Sequence, residues 1–289
     1  MSVSANAVKE LRDKTGAGMM DCKKALDEAN GDFEKAIEIL RKKGASVAAK
    51  RAERSANEGI VLTKIFNNGK SAAIVEVNCE TDFVAKSDDF VNFVNFVMDI
   101  VVNEKPSDLE SLKKLSLNGK AFADELNALI GKIGEKIEVS RFAIENSENG
   151  EVVDYVHHGS KLGVLIKADN VPTEKADILK PVLKDIAMQV AAMRPLTIYR
   201  EEVDKAVVEK EIEIYKELAR KEGKPEQILE KIAVGKLNKF YEENCLYEQA
   251  YIKDNTKKVS DLLAEFNKVN SSQTKLILFR RFHISDEKK

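Results

Sequence analysis

Apolar positions recur at helical spacing through the first part of the chain. Val8 and Leu11 share a face before Thr15-Gly16, a pair that stops a helix. Cys22, Leu26 and Ala29 form a second stripe ending at Asn30-Gly31. Asp32 is placed to cap a third helix with Phe33, Ala36, Ile37 and Leu40 on one side, closed by Gly44. Three short helices joined by glycine turns predict a compact adaptor that, with its connector, occupies 1–55. The connector is basic (Arg41, Lys42, Lys43, Lys50, Arg51, Arg54) and reads more readily as a solvated linker than as an RNA contact.

The period then shortens. Residues 59–66 and 71–78 are rich in β-branched side chains and flank Asn67-Asn68-Gly69-Lys70, a hairpin signal. Ser87 caps a helix with Phe90, Phe93, Val94, Val97 and Val101 at helical spacing. Short helices are predicted at 107–116 and 119–131, and a strand at 135–146. The order strand, glycine turn, strand, helix returns in 150–170 and 173–193. The fold class predicted is therefore α+β, with a duplicated core of antiparallel strands backed by helices. Residues 200–222 and 226–244 read as two charged helices broken by Gly223-Lys224-Pro225, a coiled-coil hairpin inserted in the second unit. A helix at 259–268 and a strand at 274–284 return to the sheet. The domains expected are 56–149 for one half of the core, 150–199 with 245–289 for the other, and 200–244 for the arm.

Composition narrows the function. Forty-seven basic against 49 acidic residues leave a net charge of −2, which argues against a dedicated nucleic-acid binder. Three widely spaced cysteines (Cys22, Cys79, Cys245) fit neither a disulfide framework nor a zinc site; a reducing, cytoplasmic location is expected. The most apolar predicted helix carries Asn92, Asn95 and Asp99, so no membrane span is expected, and the first residues resemble neither a secretory nor a transit peptide. Gly16-Ala17-Gly18 lacks the Gly-Lys-Ser/Thr of a phosphate loop. His157 and His158 are adjacent on a predicted strand and would face opposite ways, which argues against a shared metal or acid–base pair. No catalytic constellation, metal or cofactor is expected. What stands out instead is Asn78–Phe90, NCETDFVAKSDDF, where a phenylalanine follows an acid in a predicted loop before a helix cap. Phe83 either staples onto Phe90 within its own chain or serves as a wedge for another protein.

Several blocks resemble bacterial elongation factor Ts in order and spacing: VKELRDKTGAGMMDCKKALDEANGDFEKAIEILRKKG at 8–44, NCETDFVAK at 78–86, YVHHGSKLGVLI at 155–166, AAMRP at 191–195 and GKPEQILEKI at 223–232. The resemblance covers nearly the whole chain. It implies a non-enzymatic guanine-nucleotide exchange factor for GDP-bound elongation factor Tu. It further implies a ubiquitin-associated-like first module that contacts the GTPase through Arg12, Met19, Met20 and Lys23. Thr81, Asp82, Phe83 and Val84 would form the exchange wedge near the partner's magnesium, with His157 and Gly159 as contacts from the second unit and the arm as a lesser one. No direct nucleic-acid or membrane contact is implied, and the complex could hold two copies of each protein. The chain departs from the family where His158 replaces a usual glycine and where Ser285-Asp286 replaces Gly-Glu, and no further C-terminal module is expected. Two other readings stay open: a translation-associated RNA-binding adaptor using 41–54, and an enzyme with a site assembled from distant residues.

Overall fold

The computed structural model describes residues 3–287. Helices α1 (Ala5–Thr15), α2 (Met19–Glu28) and α3 (Phe33–Arg51) come first. Ser4 accepts the Ala7 N–H to start α1, and Asp32 accepts the Glu34 and Lys35 N–H groups to start α3, filling donors that a helix end leaves open. Val8, Leu11, Cys22, Ala25, Leu26, Ala29 and Ala36 form their shared core.

The first sheet follows. Strands β1 (Glu58–Phe66) and β2 (Ser71–Cys79) form a hairpin, leading to the one-turn helix α4 (Asp82–Ala85) and the long α5 (Asp88–Glu104). After these come α6 (Leu109–Leu112), the two-residue strands β3 (Ser116–Leu117) and β4 (Lys120–Ala121), α7 (Phe122–Ile133) and β5 (Ile137–Asn146), which pairs antiparallel with β2. The helices predicted at 107–116 and 119–131 are thus corrected. Asn118 and Gly119 have φ 53° and 78°, the left-handed pair of a two-residue hairpin, and helix begins only at Phe122.

The second sheet repeats the plan. Strands β6 (Gly150–Val156) and β7 (Leu162–Asp169) form a hairpin, α8 (Ala176–Met193) follows, and a later strand returns to pair with β7. Between them lie the arm helices α9 (Lys205–Lys221) and α10 (Glu226–Asn244), a small hairpin of β8 (Ala250–Tyr251) and β9 (Asp254–Lys258), and α11 (Val259–Asn270); the returning strand is β10 (Lys275–His283). In both sheets the middle strand is the second of the hairpin, β2 or β7.

The sheets stack face to face between two helical layers. Val61, Ala72, Ile74, Val152, Leu165 and Phe282 meet between the sheets. Behind the first sheet α5 and α7 pack on Ala73, Val75 and Val77, and behind the second α8 and α11 pack on Val164, Ile166 and Ala168. Every residue of β2 is accordingly buried, as expected of a strand covered on both faces. Gly163 permits this stacking: a methyl there would lie 2.7 Å from Val61 Cγ1.

Two further expectations are corrected. Helix α3 does not stop at Gly44 but runs to Arg51, because α7 lies against it. A methyl on Gly44 would stand 2.4 Å from the Asn127 carbonyl oxygen, and one on Gly131 3.1 Å from the Gly44 Cα. Arg41 pairs with Asp124 at 3.1 Å, and Arg51 and Arg54 both reach Glu80. The predicted solvated connector is therefore largely helix, tied to the body. Second, β6 ends at Val156, so His157 and His158 lie in the turn after it. There Ser160 and Gly159 have φ 55° and 87°, and the opposite-face argument no longer applies to them.

Candidate partner-docking surface

At the end of β2 the chain turns into α4, which carries the sequence Asp82-Phe83-Val84-Ala85. The predicted loop is thus a helical turn. Thr81 is its cap, with the hydroxyl accepting the Val84 N–H at 3.4 Å. A single turn presents its side chains in several directions, and burial sorts them. Ala85 is buried and Val84 packs against the core of α5 and α7, which anchors the turn. Phe83 points away and is 82% exposed, whereas Phe90 is fully buried in the core. The intramolecular staple is excluded. An exposed phenyl forgoes roughly 1.5–3 kcal/mol that full burial would supply, and such a side chain on an anchored turn is suited to a pocket on another molecule.

Charges flank the ring. Asp82 Oδ2 accepts from Lys86 Nζ at 2.8 Å, one turn along. That hydrogen bond holds the Asp82 carboxyl below the usual range, helped by the charge of Lys161, and raises the Lys86 ammonium. Lys161 itself pairs with Glu58 at 2.6 Å. It closes the 157–161 turn, whose Ser160 carbonyl accepts the Val61 N–H at 2.7 Å. The structure therefore brings Asp82 and this turn into electrostatic reach of each other from opposite sheets. His157, His158 and Gly159 are exposed on the turn, with His157 Nδ1 2.8 Å from the Tyr155 hydroxyl.

The remaining predicted residues lie on the first two helices. Arg12 on α1 and Lys23 on α2 are exposed, and Met19 and Met20 at the start of α2 are 55% and 64% exposed. Thr15 and Gly16 line a cleft of about 310 Å³ with Asp89 and Lys132. A neighbouring cleft of about 330 Å³ lies between α3 and α7. Their ionisable groups include the ion pairs Lys132–Asp89 at 2.7 Å and Arg41–Asp124. Among the described residues no group of three His, Cys, Asp or Glu could hold a metal ion, and no helix is long and apolar enough to cross a membrane.

Sequence reasoning missed Glu80 and Glu135. The Glu135 carboxylate accepts from the Glu80 and Thr81 N–H groups at 3.2 and 3.0 Å and from the Thr81 hydroxyl at 2.7 Å. Glu80 accepts from the Lys136 N–H at 2.6 Å and from Arg51 and Arg54. Partial burial pushes the Glu80 carboxyl up, but the Lys136 N–H and the two guanidinium groups outweigh it and leave it below its ordinary value. Only adjacence to Thr81 could have flagged Glu80; Glu135 lies 54 residues from Thr81 and carries no local signal.

The chain is thus a two-unit α+β protein with an N-terminal helical module, a helical arm and an outward-facing aromatic side chain on an anchored turn. Comparison with known proteins gives the family. The family model described as Elongation factor TS matches residues 80–286. Elongation factor Ts of Chlorobium phaeobacteroides (strain BS1) is 49% identical over 270 residues, covering 92% of this chain and 93% of that protein. Elongation factor Ts of Chloroherpeton thalassium is 44% identical over 289 residues, 99% of each chain, and that of Clostridium kluyveri (strain NBRC 12016) is 48% identical over 283 residues, 97% of this chain and 92% of that one. The chain belongs to the elongation factor Ts family.

Proposed function

We propose that the protein is a cytoplasmic guanine-nucleotide exchange factor that binds elongation factor Tu in its GDP form and performs no covalent chemistry. Family membership and the outward-facing Phe83 support this reading, and the 82% exposure of that ring carries it. Asp82 and Phe83, with Thr81 and Val84 as their frame, enter the partner near its magnesium. Magnesium demands tight octahedral geometry, and with the phosphate loop it holds the nucleotide's β-phosphate. A phenyl ring pushed between adjacent helices displaces those elements without touching the nucleotide, so GDP leaves faster. Burial of the ring is worth roughly 1.5–3 kcal/mol, comparable with a typical coupling of about 1–3 kcal/mol between two sites. Coupling is reciprocal, so GDP weakens the factor's binding as much as the factor weakens that of GDP.

In the same reading residues 1–55 dock on the GTPase through Arg12, Met19, Met20 and Lys23. Methionine suits such an adaptable surface. His157 and Gly159 and the arm add contacts from the second unit. The test is stopped-flow release of fluorescent GDP from elongation factor Tu. Phe83→Ala should fold normally and lose ~2 kcal/mol of the acceleration, roughly 30-fold. A folded variant that exchanges at the wild-type rate refutes the wedge.

A further inference from the structure

The ladder between β2 and β5 ends at the Cys79–Ile137 pair. One step further the two chains exchange carboxylates in place of backbone bonds. Glu80 takes the N–H of Lys136, while Glu135 takes the N–H groups of Glu80 and Thr81 together with the Thr81 hydroxyl. Gly134, with φ 77°, ends α7 and turns the chain so that Glu135 arrives there. On its outer side Glu80 is held by Arg51, the last residue of α3, and by Arg54 at 3.3 and 3.0 Å. Its side chain is only 18% exposed.

From this arrangement we infer that Glu80 and Glu135 are positioning residues that set the angle of the Phe83-bearing turn, and that Arg51 and Arg54 hold it in register with the N-terminal helical module. The inference rests on the reading of Phe83 as the exchange wedge. A four-residue helix has too few internal hydrogen bonds to hold itself. Its direction is set by its first residues, and the N–H groups of Glu80 and Thr81 both end on one carboxylate. Charge-assisted bonds of this kind are the strong ones. The same carboxylate pair joins three elements remote in sequence: the end of α3, the end of α7 and the start of α4. A protein that must insert a ring into a partner while gripping it elsewhere gains from having the two points at a fixed separation, because less order is lost on association.

The mechanism separates a positioning role from that of the ring. A loosened turn lowers the fraction of molecules competent to bind and raises the apparent dissociation constant in proportion, while a turn once docked still carries its phenyl. In Glu135→Ala the factor concentration for half-maximal GDP release should therefore rise ~10-fold, as expected if about a tenth of the molecules remain competent, with the saturated rate within about twofold of wild type. Hydrogen–deuterium exchange at the amides of Thr81, Val84 and Ala85 should quicken by a similar factor, with β2 and α5 unchanged. Glu135→Gln should restore both readouts, because its carbonyl can take the two backbone N–H groups while its amide donates to the Thr81 hydroxyl. Wild-type concentration dependence in Glu135→Ala, or a lowered saturated rate at unchanged concentration dependence, overturns the clamp provided that Phe83→Ala is impaired in the same assay. Unimpaired exchange by Phe83→Ala overturns the wedge reading itself, and quickened amide exchange in Glu135→Ala would then still support the clamp as the device that holds the turn.

Discussion

Two glycines in helix interiors should respond to the same substitution with opposite sign. Alanine is favoured over glycine in a helix by about 0.8–1.0 kcal/mol. At Gly235 in α10 a methyl meets nothing within 4 Å, so Gly235→Ala should realise that gain nearly in full. At Gly44 the methyl would sit 2.4 Å from the Asn127 oxygen and 3.0 Å from its carbonyl carbon, against an ordinary contact of about 3.5 Å. Both atoms are backbone, so no rotamer change relieves the clash, and α3 and α7 must part by about 1 Å. Overpacking of this kind costs about 1–3 kcal/mol, and the parted helices also lose dispersion contacts along the crossing. The clash therefore outweighs the propensity gain, leaving Gly44→Ala destabilised by about 1–2 kcal/mol. Native-state hydrogen exchange reads the two regions separately. Amides of α7 facing Gly44 should exchange about 5–30-fold faster in Gly44→Ala, and those of α10 about fivefold more slowly in Gly235→Ala. Slower exchange around α7 in Gly44→Ala would refute the close crossing as the reason for glycine at 44.

Acid should remove a contribution made by Asp286. Burial raises its carboxyl, but Arg281 at 3.0 Å, the His283 N–H and Arg141 outweigh that and hold it below the ordinary range of an aspartate. A folded-state value below the unfolded one gives stability that is present above the unfolded value and lost as pH falls through the folded one. Urea midpoints of wild type should thus decline below about pH 4 more steeply than those of Asp286→Asn, which at pH 7 should already be weaker by about 2 kcal/mol. Equal slopes would count against it. The cysteines Cys22, Cys79 and Cys245 are buried and unpaired, and burial pushes the Cys79 thiol up to about 12; at pH 8 a thiol reagent should label none of them until denaturant is added, and rapid native labelling would contradict the packing. Replacing both Met19 and Met20 by alanine should leave the unfolding free energy from a urea titration within about 0.5 kcal/mol of wild type, as for other exposed positions. The same variant should weaken capture of elongation factor Tu in a titration. Loss of fold instead would place the pair in the core.

Much of the secondary structure was legible because its causes are local. Asp32 and Ser87 cap the helices that their positions announce, since a cap needs only donors two or three residues away. The hairpin at Asn67–Lys70 and the amphipathic stripe through Phe90, Phe93, Val97 and Val101 also follow from neighbours in the chain. Strands β8 and β9 were not legible. Asp254–Lys258 is polar, with no alternation of buried and exposed apolar side chains to mark it. The site divides in the same way. TDFV could be found as a motif, but its exposure could not, because a phenylalanine beside a helix cap serves equally as a staple or as a tip.

By itself, then, the amino-acid sequence determined the α+β class, the family resemblance and the repeat of hairpin and helix, all of which follow from periodicity, turn chemistry and ordered motifs. Tertiary structure alone decided that α3 continues past Gly44, that β5 and β10 close their sheets against β2 and β7, and that Glu135 reaches across to hold Thr81. The physical reason is one of range. Hydrogen bonds within a turn and the spacing of apolar side chains are set by the next few residues, whereas whether a helix continues, or which way a ring faces, depends on atoms that only the folded chain brings near.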